Sequence, residues 1–141
     1  DGTFLAAQYA SPVHYQDNGQ WKDIDNTLSE AAADDSEDED GYQSADNPFQ
    51  VKFAKKYDAK KLVKIKQGDY QLSWSLSGAK AGKLKNPSAT DKAAEKEDGN
   101  DPTVLSKLTS GVTYTDILAH VDLEYILSST TLKENIVVKK S

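Results

Sequence analysis

The run Tyr70-Gln71-Leu72-Ser73-Trp74-Ser75-Leu76 sets a large apolar side chain at every second position, with polar residues between. A period of two over seven residues places Tyr70, Leu72, Trp74 and Leu76 on one face of a strand. A helix would scatter them around its circumference. The pattern predicts a strand with one face buried, one face wet, and Trp74 in the core. The same alternation recurs in Phe49-Gln50-Val51-Lys52-Phe53 and in Val112-Thr113-Tyr114-Thr115. It recurs again in Val121, Leu123, Tyr125 and Leu127, set against Asp122, Glu124 and Ile126. In the last strand Leu132, Glu134, Ile136 and Val138 share one side, and Glu134, the misfit there, is expected at a sheet edge. Thr3 to Tyr9 and Leu62 to Lys66 also suit strands, with turns at Gly68-Asp69 and Ser128-Ser129-Thr130. Ile117 to His120 fits either a short helical turn or a bulged crossing between strands.

The sharpest local signal is Asp17-Asn18-Gly19 between Val13-His14-Tyr15-Gln16 and Gln20-Trp21-Lys22-Asp23-Ile24. Asn-Gly between two β-prone runs predicts a hairpin, because a type I′ turn needs positive φ at both central residues. Seven or eight strands with one-sided burial must cover their apolar faces. The expected fold is therefore all-β, an antiparallel β-sandwich, with a half-open β-barrel as the alternative.

Two stretches break the pattern. Ser29 to Gly41 is acidic and small-residue-rich without apolar periodicity, so a mobile insertion is expected over about residues 30–41. Gly78 to Thr103 is rich in Ala, Lys, Gly and Asp, so a second flexible insertion is expected over about 79–103, with a short exposed helical turn from Asp91 to Lys96 as an option. The 141 residues fit a single β domain. Asp1 is neither an initiator Met nor the start of a signal peptide, which suggests a fragment of a larger multidomain protein.

Composition narrows the chemistry. There is no cysteine, which removes disulfides and thiolate metal ligands, and no methionine, the other oxidation-prone side chain. Together these favour an extracellular setting. All seventeen basic residues are Lys, and the net charge is −6. Without Arg forks and with a net negative field, nucleic acid is not an expected partner. No apolar run approaches the ~18 residues of a spanning helix, so membrane insertion is not expected. Charge is uneven: residues 1–50 hold twelve acids against one Lys, the remainder eleven against sixteen. The Lys-rich stretch from Lys52 to Lys66, with Phe53 and Tyr57, reads as a solvated strand face against which the acidic loop could dock part of the time.

Candidate chemistry is sparse. His14 and His120 are far apart in sequence and make a poor metal set, and no G-x-S-x-G nucleophile elbow occurs. Aligning Gly41 with the obligatory glycine of a calcium loop leaves Ser36 and Asn47 where carboxylates belong, so neither metal nor cofactor is expected. Asp23 and Asp25, near Trp21, are the acids a glycosidase would use. The plainer expectation is that Asp23 faces solvent and that Asp25-Asn26 makes an Asx-type turn or caps the strand end. No catalytic residue is assigned. Trp21 is the better placed of the two tryptophans for a ligand platform, although core packing is the preferred expectation for it. The candidate ligand-contacting residues are Trp21, Tyr15, His14 and Asp23.

Several segments together carry a resemblance: Gln8 to Tyr15 leading into Gly19-Gln20-Trp21-Lys22-Asp23-Ile24-Asp25-Asn26-Thr27-Leu28, then Asn47 to Ala54, Tyr70 to Leu76, and Val112 through Tyr125 to Ile136. They resemble the β-rich module that precedes DNRLRE-type domains and RHS/YD repeats in very large secreted or wall-associated proteins of Gram-positive bacteria. The resemblance implies an extracellular, multidomain, non-enzymatic context and carries no catalytic residues. Expected partners are a host or bacterial surface protein or glycan, such as a mucin-type glycoprotein or a host immunoglobulin, or adjacent domains of the same polypeptide. A carbohydrate-binding module is the alternative function.

Overall fold

The computed structural model describes residues 12–33, 39–84 and 108–140. Among them are ten strands: β1 (His14–Asp17), β2 (Gln20–Asp23), β3 (Asp25–Ala31), β4 (Gly41–Asp46), β5 (Gln50–Ala54), β6 (Val63–Gln67), β7 (Tyr70–Trp74), β8 (Thr109–Leu118), β9 (Val121–Ser128) and β10 (Thr131–Val138). The expected strand over Thr3–Tyr9 and the optional helical turn over Asp91–Lys96 lie outside the described residues. The strands form a two-stranded hairpin, a five-stranded sheet ordered β3-β4-β5-β6-β7 and a three-stranded sheet ordered β10-β9-β8. All pairings are antiparallel and none of the three sheets closes on itself, as a sandwich requires.

Register shows why these residues form the core. Leu28, Tyr42, Val51, Phe53, Val63 and Trp74 fall on one face of the five-stranded sheet. They pack against Val112, Tyr114, Leu123, Tyr125 and Leu127 from the three-stranded sheet in one cluster. Rings dominate the seam. Tyr125 lies 5.6 Å from Phe53 and 6.3 Å from both Trp74 and Tyr114, centroid to centroid. Buried phenols need partners, and those of Tyr114 and Tyr125 find them across the sandwich. The Tyr114 hydroxyl donates to the Ala54 carbonyl at 2.9 Å, and the Tyr125 hydroxyl accepts from the Trp74 indole at 2.9 Å while donating to Glu134 at 2.7 Å. Glu134 is thus explained: β10 is an edge strand, and its inward carboxylate satisfies a core hydroxyl.

Those hydroxyls make alkaline stability predictable. Burial pushes both phenols above the ordinary tyrosine range, and for Tyr125 the Glu134 carboxylate adds to it while the Trp74 hydrogen bond opposes. An acid with a raised folded-state pKa stabilises the fold below its unfolded value, about 10, and that contribution is lost as pH rises beyond it. Ellipticity and phenolate absorbance should therefore change together in alkali. Tyr114→Phe, slightly less stable at neutral pH through loss of one hydrogen bond, should unfold at a higher pH than the parent. Free titration of all seven tyrosines without unfolding would refute this assignment.

Several expectations need correction. The apolar side of residues 70–76 is not uniformly buried. Tyr70 is 84% and Leu72 62% exposed, and Trp74 is half-buried rather than enclosed. The reason is position: among the described residues β7 is the outer strand of its sheet and pairs with β6 alone. The last strand behaves likewise, with Ile136 and Val138 exposed on the free edge of β10. The acidic tract is not loop from Ser29 to Gly41, since β3 runs to Ala31 and β4 begins at Gly41. Ala33 and Asp40 close the strands through an Ala33 N–H donated to the Asp40 carboxylate at 3.2 Å. Residues 79–84, expected in the second insertion, dock on the body: Leu84 is buried, its N–H donates to the Lys55 carbonyl, and Tyr57 N–H donates to Gly82 at 3.0 Å.

The Lys-rich stretch is not a fully solvated face either. Lys52 and Lys64 are cross-strand partners and both are buried, with the Lys52 ammonium donating to the Ala32 carbonyl at 2.8 Å. The described ends of the acidic tract do meet these lysines, Glu30 lying 2.7 Å from Lys55. Ile117 to His120 is neither a helical turn nor a crossing: β8 runs to Leu118, which pairs with Val121 across an Ala119-His120 turn. A bulge lies just before, where the β8–β9 register shifts after Tyr114, Asp116 takes positive φ and its N–H donates to Asp122.

Candidate functional site

The Asn18-Gly19 turn forms as the sequence predicts, with φ of 52° and 80° at its two central residues. A two-residue turn fixes register, and here it pairs Asp17 with Gln20, Gln16 with Trp21, Tyr15 with Lys22 and His14 with Asp23. Alternation then sorts the side chains into two faces. Val13, Tyr15 and Ile24 turn inward, where Ile24 and Leu108 form a small second core. The Ile24 N–H donated to the Val13 carbonyl at 2.9 Å closes the hairpin base, and the Ser129 hydroxyl donated to the Pro12 carbonyl ties that base to the body.

The opposite face carries Trp21 beside Gln16, and His14 beside Asp23. Trp21 is 70% exposed, so the expectation of core packing is overturned. The cause is register: Lys22 and Ile24 take the inward face, and the indole falls on the opposite side of a two-stranded ribbon that none of the other described strands joins. His14 Nε2 stands 3.0 Å from Asp23 Oδ1, with both side chains more than half exposed. Asp23 faces solvent as expected, and Asp25 makes the expected Asx turn, its carboxylate accepting the Thr27 N–H at 3.0 Å. Of the four candidates, Trp21, His14 and Asp23 thus share one surface, and Tyr15 lies on the other.

Tyr15 lines a cleft of about 600 Å³ between the hairpin and one end of the five-stranded sheet, with Gln16, Lys22, Asp46, Pro48, Lys66 and Gly68 among its walls. Its hydroxyl lies 3.5 Å from Asp46, and burial, then that carboxylate, raises the phenol above its ordinary value. Lys22 pairs with Asp17 at 2.8 Å, which raises the ammonium. These walls are polar and their charges largely offset one another locally.

Sequence reasoning missed Gln16 as a companion of Trp21. The signal was present, since a two-residue Asn-Gly turn places Gln16 opposite Trp21 by counting alone. No group of three or more His, Cys, Asp or Glu that could hold a metal ion occurs among the described residues, and no helix there is long and apolar enough to cross a membrane. Compared with family models, with curated proteins and with solved structures, the chain matches none.

Proposed function

We propose that this domain is a non-catalytic extracellular recognition module that binds a host or cell-surface macromolecule through the outer face of its N-terminal hairpin. The observation that carries this is the solvent-facing indole of Trp21 on a ribbon anchored at its base. A large ring held out in water gains nothing for the fold, whereas a rigid, amphipathic anchor with two rotatable bonds is what a binding surface uses. The resemblance to modules of large Gram-positive surface proteins, the absence of Cys and Met, and the lack of Arg support an extracellular setting and a partner other than nucleic acid. Host glycoproteins and immunoglobulins are within the partner class.

The test is capture by the immobilised domain from host serum, mucus and purified wall material, run beside Trp21→Ala. Truncating a central Trp costs about 2 kcal/mol or more, so the variant should bind its partner about thirty-fold more weakly. Its thermal midpoint should match the parent within a few degrees, because Trp21 contributes little buried area. Equal capture by parent and variant would remove the hairpin face from the binding surface. A second reading, packing on a neighbouring domain of the same polypeptide, is favoured by Ile136, Val137 and Val138, exposed at the free edge of β10.

A further inference from the structure

We infer that the outer face of the β1–β2 hairpin is a glycan-binding platform for neutral pyranose chains, with Trp21 as the stacking surface and Gln16, His14 and Asp23 as its hydroxyl partners. This rests on the recognition function proposed above and names the ligand class. Three features carry it.

The first is geometry. Gln16 is directly opposite Trp21, and the His14–Asp23 pair follows two residues along the same face. Neighbouring strands are about 4.8 Å apart and two residues along a strand span about 7 Å. Polar groups therefore stand beside the indole and one step beyond it, which is the spacing between the ring of one sugar and the hydroxyls of that sugar or the next. A pyranose has an apolar face of axial C–H bonds that covers an indole and a rim of hydroxyls that needs partners at its edge. This patch supplies both.

The second is hydrogen-bonding capacity. His14 Nε2 is engaged with Asp23 Oδ1 at 3.0 Å, which leaves the other ring nitrogen and the second carboxylate oxygen for hydroxyls. The Gln16 amide offers one acceptor and two donors. A carboxylate, an amide and an imidazole are planar groups that accept and donate in pairs, as vicinal hydroxyls do. An apolar protein anchor would leave these groups unsatisfied when it covered them, at a cost of about 1–3 kcal/mol each.

The third is charge. Among the described residues the face holds one carboxylate, one imidazole and no Lys. With Asp17 and Asp46 on the far side of the ribbon offset by Lys22 and Lys66, nothing here attracts an anion. Sulfated and sialylated chains are disfavoured relative to neutral ones.

The experiment uses the two tryptophans as internal probe and control. Trp21 is 70% exposed, whereas Trp74 N–H donates to the Tyr125 hydroxyl at 2.9 Å inside the sandwich. Two-dimensional ¹⁵N NMR resolves one indole resonance for each. Two arms separate the sources of neutral pyranose: desialylated oligosaccharides released from mucin, and the β-1,4-linked N-acetylglucosamine hexamer as a stand-in for wall glycan. In at least one arm the Trp21 resonance should move and saturate at low-millimolar ligand while that of Trp74 stays fixed. Trp21→Ala should abolish the accompanying backbone shifts, and Gln16→Ala should weaken binding at least threefold. Failure of both arms to move Trp21, or shifts that persist in Trp21→Ala, overturns the inference. Trp21-dependent capture of a protein that survives its complete deglycosylation also overturns it while leaving the recognition function standing. Loss of both capture and shifts defeats the two together.

Discussion

Asn26→Ala is expected to lower stability by about 3–5 kcal/mol, a large share of the roughly 5–15 kcal/mol that holds a domain of this size folded. Asn26 is completely buried in β3, where the alternating pattern calls for no polar side chain. Its amide nitrogen donates to the carbonyls of Leu108 and Ser129, each at 2.8 Å, and its amide oxygen accepts from Asn47 at 2.7 Å. Its backbone carbonyl accepts the Ser110 hydroxyl at 2.5 Å. One side chain therefore joins the five-stranded sheet to the start of β8, to the β9–β10 turn and to the link between β4 and β5. Ser129 extends the ring to the hairpin through its hydroxyl on Pro12.

Truncation leaves a cavity and takes partners from buried groups that have no water to turn to, so the loss exceeds that of an exposed hydrogen bond. The comparison that isolates the donors is Asn26→Asp, which keeps size and shape but sets a carboxylate against two carbonyl oxygens. It should be at least as damaging as Ala at neutral pH. Asn47→Ala should cost less, because Ser129 retains its bond from Asn26, and the double variant should cost less than the two losses combined, since they share one network. Urea midpoints at constant slope provide the measurement. A loss below about 1 kcal/mol for Asn26→Ala would mean that the ring contributes nothing beyond ordinary surface bonding.

Asn26 also marks where the sequence stopped being legible. Alternation located most of the strands and the two faces of β8 and β9, because a residue's face depends on parity alone. Whether that face is covered depends on what lies across from it. Residues 70–76 alternate as regularly as 121–127, yet Leu72 is exposed and Tyr125 enclosed, because β9 is central in its sheet and β7 is an edge. Sheet order comes from long-range pairing, which no local pattern encodes. Composition misled in the opposite direction at β4. Gly41-Tyr42-Gln43-Ser44-Ala45-Asp46 looks like the tail of an acidic loop, but pairing on both sides makes it a strand with Tyr42 and Ser44 inside. Asn26 read as a turn residue beside Asp25 because Asx chemistry is local, while its actual partners lie 82 and 103 positions along the chain. At the candidate site the hairpin, its register and the side-by-side placing of Trp21 and Gln16 follow from a two-residue turn. The exposure of Trp21 depends on whether a third strand joins that ribbon, which none of the described strands does, and no local pattern encodes that.

Gly41→Ala should cost about 3 kcal/mol, at the upper end for the addition of one methyl group. The constraint is spatial, since Gly41 does not adopt positive φ. A Cβ there would lie 2.2 Å from the Phe53 carbonyl oxygen, 2.9 Å from its carbon and 3.2 Å from the Ala54 Cα, all backbone atoms of the paired strand. Backbone cannot swing aside as a side chain can. Relief requires β5 to move off β4, which disturbs Phe53 and with it the ring contact to Tyr125. Gly82 is the natural control: its Cβ would stand 2.9 Å from the Tyr57 ring, which can rotate away. Gly82→Ala should cost about 1 kcal/mol, and Gly19→Ala a similar amount for a different reason, strain at φ +80° with open space around it. Amide exchange should report the difference directly, with Gly41→Ala accelerating exchange at β4 and β5 and at the Lys55 N–H bonded to Asp40. Equal losses for Gly41→Ala and Gly82→Ala would show that β5 yields as easily as a tyrosine ring. The close β4–β5 approach would then be incidental to the fold.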